Sequence, residues 1–242
     1  MTEEKRLSEL ARRAARGETA FSHFLEPALV PIAETCARDA GAWVAFCGGY
    51  PGAERVIAGF SDGEIEPRAF PVACLRLSWN KKFADAGHRD ILGAVMGLGV
   101  ERASTGDIVL SDGAAYLFCE RSIARYLIEN LEGANRARIR AAEHIGEIEP
   151  SEPAGTRFRA TFSSPRLDAL VCAGYNLSRA QAQKLVAAGH VKLNHIPNLR
   201  PDARIEAGDL ISARGYGRLC VERLLGETKK GRLAAQLFRY GR

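Results

Sequence analysis

The run from Arg166 to Asn194 restricts what this chain can fold into more than any other part of it, because it writes two short helices and a strand in quick succession. Ser164-Pro165 offers an N-cap followed by a proline at the first helical position, where the missing N–H is no loss, and so predicts a helix opening at Arg166. Ser178 with Gln181 three residues on is a capping box, and Gly189 is the left-handed glycine expected to end the second helix. Ala173-Gly174-Tyr175-Asn176 is the short connection between the two. On the second helix Ala182, Leu185 and Val186 form one apolar stripe, which turns Arg179, Gln183 and Lys184 outward beside the positive end of the helix dipole. Val191 and Leu193 then alternate with Lys192 and Asn194 as a half-buried strand does, and Ala207-Gly208-Asp209 leads into a strand from Leu210 to Ser212. The polar set of this run, Arg166, Ser178, Arg179, Gln183, Lys184, Lys192 and Asn194, is cationic, hydroxylic or amide-bearing, the chemistry that meets an RNA backbone.

Charge points the same way without any motif. Residues 158–242 hold 15 Lys and Arg against 6 Asp and Glu, a net of +9, whereas residues 1–157 hold 19 against 23, a net of −4. A charge run alone is a solvated face, but separation of sign along the chain favours a polyanionic partner for the basic third. Arg214-Gly215-Tyr216-Gly217-Arg218 sets two cations around an aromatic, which suits a phosphate and a stacked base, and suits equally a glycine-rich hairpin with a half-buried tyrosine.

With 242 residues, 46% of them hydrophobic, the chain can bury sizeable cores, and the sign break predicts at least two domains. The longest apolar run, Ile91 to Val100, contains three glycines and is half the length of a membrane span. Glu3-Glu4-Lys5-Arg6 lacks the apolar region of a signal peptide, so a cytoplasmic chain without a membrane partner is expected. The six cysteines lie far apart with no C-x-x-C pair, which predicts reduced, mostly buried thiols and no metal site.

The overall expectation is an α+β chain: two small α/β sandwich-type domains followed by the basic domain. The first forty residues read as helix, with Leu7, Leu10 and Ala14 at helical spacing and Pro31 to Arg38 resuming after a break near Pro27. Trp43–Phe46, Val56–Phe60 and Val72–Leu77 are β-like and complete an N-terminal α+β domain over 1–77. Gly48-Gly49-Tyr50-Pro51-Gly52 is either a sheet-edge loop or an aromatic loop that touches RNA. A central α+β domain over 78–150 follows, with helices near Arg89–Leu98 and Ile123–Asn130 and strands near Asp107–Leu110 and Ala115–Cys119. Arg136, Arg138 and Arg140 are spaced by two: on a strand they put three guanidinium groups on one face, while in a helix the stripe disperses. Glu147 to Gly155 reads as the linker into the basic domain over 158–242.

Over residues 165 to 213 the chain resembles the S4 RNA-binding domain, with its αL motif, through Arg166-Leu167-Asp168, Ser178-Arg179, Ala182, Gly189-His190-Val191, Asn194 and Gly208-Asp209. Many members carry glycine after the asparagine; His195 stands there here, so a differently built turn is expected. From Phe21 onward the chain is similar to the YlmH family of bacterial S4-domain proteins. Phe46 to Arg55, Lys82-Phe83, Gly87 to Ala94, Met96 to Gly99, Gly106-Asp107-Ile108 and Arg214 to Arg218 carry that likeness. The resemblance implies an N-terminal domain, a central RNA-binding domain and a C-terminal S4 domain, none of them enzymatic and none holding a cofactor. It implies structured RNA as partner, rRNA and also tRNA, on large ribosomal subunits where translation is obstructed and peptidyl-tRNA remains; a monomer is expected.

Catalytic-looking strings do not hold up. His88-Arg89-Asp90 imitates a kinase catalytic loop, yet Val95 stands where that loop needs a magnesium-binding asparagine, and a helix start is simpler. Gly48 to Gly52 is no phosphate-binding loop, since no Gly-Lys-Ser/Thr follows. His144-Ile145-Gly146 lacks the second histidine of a synthetase motif. Asp168 belongs to the S4 motif. The competing class is an RNA-modifying enzyme anchored by the S4 domain, against which stands the absence of any cofactor signature or catalytic array in the acidic first part.

Overall fold

The computed structural model describes residues 2–148, 155–228 and 231–241, and the chain divides into two compact units, Met1–Ser151 and Glu152–Arg242. The first contains helix α1 (Glu3–Ala14), strand β1 (Ala20–Leu25), helix α2 (Val30–Ala40), strands β2 (Trp43–Cys47), β3 (Val56–Ser61) and β4 (Val72–Ser78), and helix α3 (His88–Gly97). Strands β5 (Thr105–Ser111) and β6 (Ala114–Glu120), helix α4 (Arg121–Asn130), and strands β7 (Gly133–Ala134), β8 (Ala137–Arg138) and β9 (Arg140–Glu143) complete it.

These elements stack in four layers. Helices α1 and α2 bury Leu7, Ala11, Ala33 and Ala37 against Ala58 and Phe60 of an antiparallel sheet ordered β1-β3-β2. Its other face meets a second sheet, ordered β5-β6-β4-β9, through Phe24, Ile57, Ile65, Phe70 and Phe118. Helices α3 and α4 cover the far side of that second sheet, packing Ile91, Val95 and Leu127 on Leu75, Leu77 and Leu117. Two sequence expectations give way here. Ala20–Leu25 is a strand and not part of an all-helical start; it lies in a middle layer where Phe24 and Leu25 are both buried, so polar alternation never develops. Val72–Ser78, expected to close the first domain, pairs with β6 and β9, which puts it in the second sheet.

A hydrogen-bonded joint ties the loop between β2 and β3 to β5. One carboxylate oxygen of Asp107 accepts the Tyr50 hydroxyl at 2.9 Å and the Glu54 N–H at 2.7 Å, while the other accepts the Arg55 N–H at 3.2 Å. Burial, and then the Asp107 charge, push the Tyr50 hydroxyl far above its ordinary pKa, so it stays protonated and donates. Its ring stacks on Phe118 at 4.8 Å, which gives the loop from Gly48 to Gly52 a structural role at the sheet edge. Gly49 is required there: it sits at φ +94°, and a Cβ would lie 2.4 Å from the Phe118 ring. The buried Arg55 guanidinium extends the joint to the carbonyls of Phe24, Arg102 and Thr105.

The second unit contains strand β10 (Gly155–Phe162), helices α5 (Leu167–Tyr175) and α6 (Arg179–Ala187), and strands β11 (Val191–Leu193), β12 (Ile196–Pro197), β13 (Leu210–Ala213), β14 (Gly217–Glu227) and β15 (Leu233–Tyr240). Six antiparallel strands run in the order β10-β15-β14-β13-β11-β12, and both helices pack on one face over Phe162, Val191, Ile211, Leu219, Val221 and Leu237. The linker expected over Glu147 to Gly155 lies mostly outside the described residues.

The capping box of α6 forms with Ser178 Oγ accepting the Gln181 N–H and Gln181 returning to the Ser178 N–H, and Gly189 follows the helix at φ +72°. Helix α5 departs from expectation at both ends. It opens at Leu167 because Arg166 is extended (φ −113°, ψ 148°) and bridges to Arg204; the Leu167 and Asp168 N–H groups donate to Ala203 and Pro201, which do the work assigned to Ser164. It then runs on through Tyr175, and the connection shrinks to a left-handed Asn176 (φ 57°) and Leu177. At Asn194-His195 both residues have positive φ, 49° and 70°, and Leu193 pairs with Ile196. That is a two-residue hairpin turn of the primed kind, in which His195 occupies a left-handed position that favours glycine.

Candidate nucleic-acid interface

Three residues predicted to meet RNA converge on a carboxylate that was not among them. Asp168, at the first turn of α5, has a side chain 0% exposed. Arg166 grips it in two places, Nε to Oδ1 at 3.0 Å and a terminal nitrogen to Oδ2 at 3.2 Å. Gln183 Nε2 donates to Oδ2 at 3.0 Å from α6, and Arg179 Nε lies 3.9 Å from the same oxygen. Burial works against the Asp168 charge, but the hydrogen bonds from Arg166 and Gln183 and the Arg166 charge outweigh it and hold the carboxyl below its usual range. The buried anion thus fixes two guanidinium groups that stay 36% and 54% exposed. With two cations on one carboxylate the patch is positive, and the outward N–H groups remain in the planar fork that suits phosphate oxygens. Lys184 is exposed one residue beyond Gln183 on α6.

The other predicted residues do not join this patch. Ser178 is occupied in the capping box. The Asn194 side chain donates to Asp209 at 2.7 Å and accepts the Leu210 N–H at 2.9 Å, so it locks the hairpin turn to β13. Lys192 and Arg218 have the opposite parity to the buried Val191 and Leu219 and therefore lie on the sheet face away from the helices. Arg214 and Tyr216 sit in the β13–β14 turn, where the Tyr216 ring lies 5.6 Å from that of Tyr175. Asp168 to Tyr175 is about 10 Å along α5, which separates this turn from the Asp168 patch. In the first unit Arg136, Arg138 and Arg140 are all exposed while Ala137 and Ile139 between them are buried. The alternation is that of a strand, but the ribbon is broken: Arg136 lies in the β7–β8 turn after the left-handed Asn135, and Arg138 and Arg140 are on β8 and β9.

Comparison with known proteins follows this anatomy. A domain described as "Putative RNA-binding domain in YlmH" matches residues 66–146, and the S4 domain matches residues 165–211. The chain is 34% identical over 214 residues to the ribosome-associated protein quality control protein P2 of Bacillus subtilis (strain 168), covering 87% of this chain and 83% of that protein. The chain belongs to the YlmH-like family of S4-domain proteins. A solved structure, the cell division protein YlmH from Streptococcus pneumoniae, aligns with a TM-score of 0.49 at 18% identity, over 60% of this chain and 93% of that one.

The YlmH-like signature thereby divides in two. Tyr50, Glu54, Arg55 and Asp107 of the first unit are consumed in the joint between sheets, while Lys82 and Phe83 stay exposed, and the S4 residues of the signature leave cations at the surface. Asp168 was legible as part of the S4 motif; its role as the organiser was not, since an aspartate two residues from an arginine does not disclose that Gln183 and Arg179 arrive from the next helix. Among the described residues no group of three or more His, Cys, Asp or Glu could hold a metal ion, and no helix is long and apolar enough to cross a membrane. The six cysteines are free, two of them buried and four half-buried. Burial pushes the Cys74 thiol up to about 11 and the Cys119 thiol up to about 12.

Proposed function

We propose that this chain is a non-catalytic RNA-binding factor of the cytoplasm that acts on large ribosomal subunits obstructed by peptidyl-tRNA. The S4 motif grips rRNA through Arg166, Arg179 and Lys184, and the arginine-bearing segment of the first unit contacts the tRNA or neighbouring rRNA. The observation that carries this reading is the buried Asp168, which pre-sets two half-exposed guanidinium groups and lowers the ordering cost of meeting phosphate. A relative named for ribosome-associated quality control, similar over 87% of the chain, supports the ribosome as the place of action. Two RNA contacts on one chain raise the effective concentration of the second once the first is made, which suits a site where rRNA and tRNA meet. No side chain is assigned to bond making or breaking; the factor stabilises a complex on which other machinery acts.

The test is sedimentation of the tagged protein with purified subunits, prepared with and without bound peptidyl-tRNA. Selective recovery with peptidyl-tRNA-bearing large subunits is the expected result. Equal recovery from both preparations, or recovery with small subunits alone, refutes the peptidyl-tRNA reading while leaving RNA binding intact.

A further inference from the structure

We propose that the helix-free face of the six-stranded sheet is a second RNA surface, one that takes an unpaired strand; this rests on reading the second unit as an RNA binder. The register across the strands aligns its side chains in rows. Lys192 on β11 pairs with Ser212 on β13, and Ser212 with Arg218 on β14. Arg218 stands beside Tyr240 on β15, its guanidinium 5.0 Å from the ring centroid, and Tyr240 pairs with Gly155 on β10. That row crosses five strands, about 19 Å at ordinary strand spacing. One step along, Arg157 on β10 pairs with Phe238 on β15 and lies 5.2 Å from its ring, while Phe238 meets Tyr240 edge-on at 4.9 Å. A further step brings Arg159 beside Gln236.

The face therefore reads cation, aromatic, aromatic, cation from Arg218 to Arg157, flanked by the exposed Lys192 and Arg159. Glu222, bonded to Arg157 at 2.9 Å, places a carboxylate beside this row. Charge complementarity selects a polyanion, and the flat sheet with the half-buried Tyr240 ring beside Arg218 selects one whose unstacked bases can lie against it, while the buried Phe238 is the ring on which Arg157 and Tyr240 pack. The glycine at position 155 keeps the row flat, since a Cβ there would lie 2.3 Å from the Phe238 ring. Arg166, Arg179 and Lys184 belong to the helical side, so the two surfaces are separable by mutation.

The experiment uses the full chain, a fluorescent oligouridylate of about twelve nucleotides, a labelled RNA hairpin, and an acidic peptide of polyglutamate. Arg159→Ala with Lys192→Ala is expected to weaken the oligouridylate about tenfold, to make its salt slope shallower by about 1.4, and to leave the hairpin within about threefold. Arg179→Ala with Lys184→Ala is expected to do the reverse. Arg159→Lys with Lys192→Arg keeps oligouridylate binding if charge is what matters, and so separates the effect from misfolding. Unchanged oligouridylate binding by the sheet-face pair overturns the second surface. If neither pair alters either RNA, the reading of the whole unit as an RNA binder falls with it. Polyglutamate bound more tightly than oligouridylate assigns the face to an acidic protein and overturns the proposal.

Discussion

Asp107 and Asp168 are both carboxylates that gather three donors, and they do opposite things with them. Asp107 takes two backbone N–H groups and a tyrosine hydroxyl, all of which it locks into the joint between two sheets. Asp168 accepts two N–H groups from Arg166 and one from Gln183, with Arg179 ion-paired at 3.9 Å, and the arginines keep much of their surface in water. The first arrangement spends its polarity internally; the second uses a buried negative charge to hold positive charge outside. The number of hydrogen bonds on an acid is thus a poor guide to function, and the exposure of what donates them is a better one.

The largest expected effect tests the inward side of that contrast. Asp107→Ala removes the acceptor for three donors, and should cost about 2–4 kcal/mol of stability by urea denaturation while RNA affinity stays near that of the parent. A variant that melts like the parent would show that water replaces the carboxylate and that the joint is not what holds the sheets. Arg179→Ala with Lys184→Ala comes next: hairpin affinity should fall about tenfold and the salt slope should become shallower by about 1.4–1.8, with the melt moved by less than about 0.5 kcal/mol. A loss of stability without a loss of affinity would make the Asp168 cluster a second structural joint.

Acid sharpens the contrast further. The Asp168 carboxyl is held below its unfolded value, so its contribution is present above about pH 4, where an unfolded aspartate ionises, and fades as pH falls through the lower folded value. Urea melts between neutral pH and about pH 3 should show that acid limb in the parent. Asp168→Asn should flatten it, and an identical limb in both would mean other carboxylates dominate. The smallest effect concerns His195, a non-glycine residue at φ 70°. His195→Gly should stabilise the second unit by about 0.5–1 kcal/mol, read as a raised melting midpoint; a fall would show that the imidazole makes a compensating contact.

Legibility in the sequence tracked locality. The capping box at Ser178, the left-handed Gly189 and the outward placement of Arg179 and Lys184 were readable because each depends on neighbours within one helix. The alternation of Arg136, Arg138 and Arg140 with buried residues was readable too, but the turn at Asn135-Arg136 that breaks the ribbon was not. Strand β1 was hidden because both of its faces are covered, and β4 was assigned to the wrong sheet because nothing local states that its partners are β6 and β9. The helix-free sheet face is not legible for the same reason: its rows exist only once β10, β15 and β14 are aligned across long separations.

That alignment has a consequence for how the second unit comes into being. Strand β10, the first of the unit, forms its ladder with β15, the last, and Gly155 pairs with Tyr240. During vectorial synthesis β10 therefore emerges with an apolar edge carrying Phe158 and Phe162 and waits, unpaired, until almost the whole unit has followed. Such high contact order slows closure and leaves a sticky edge exposed meanwhile. A nascent chain that ended before Leu233 would lack the strand on which β10 forms its ladder.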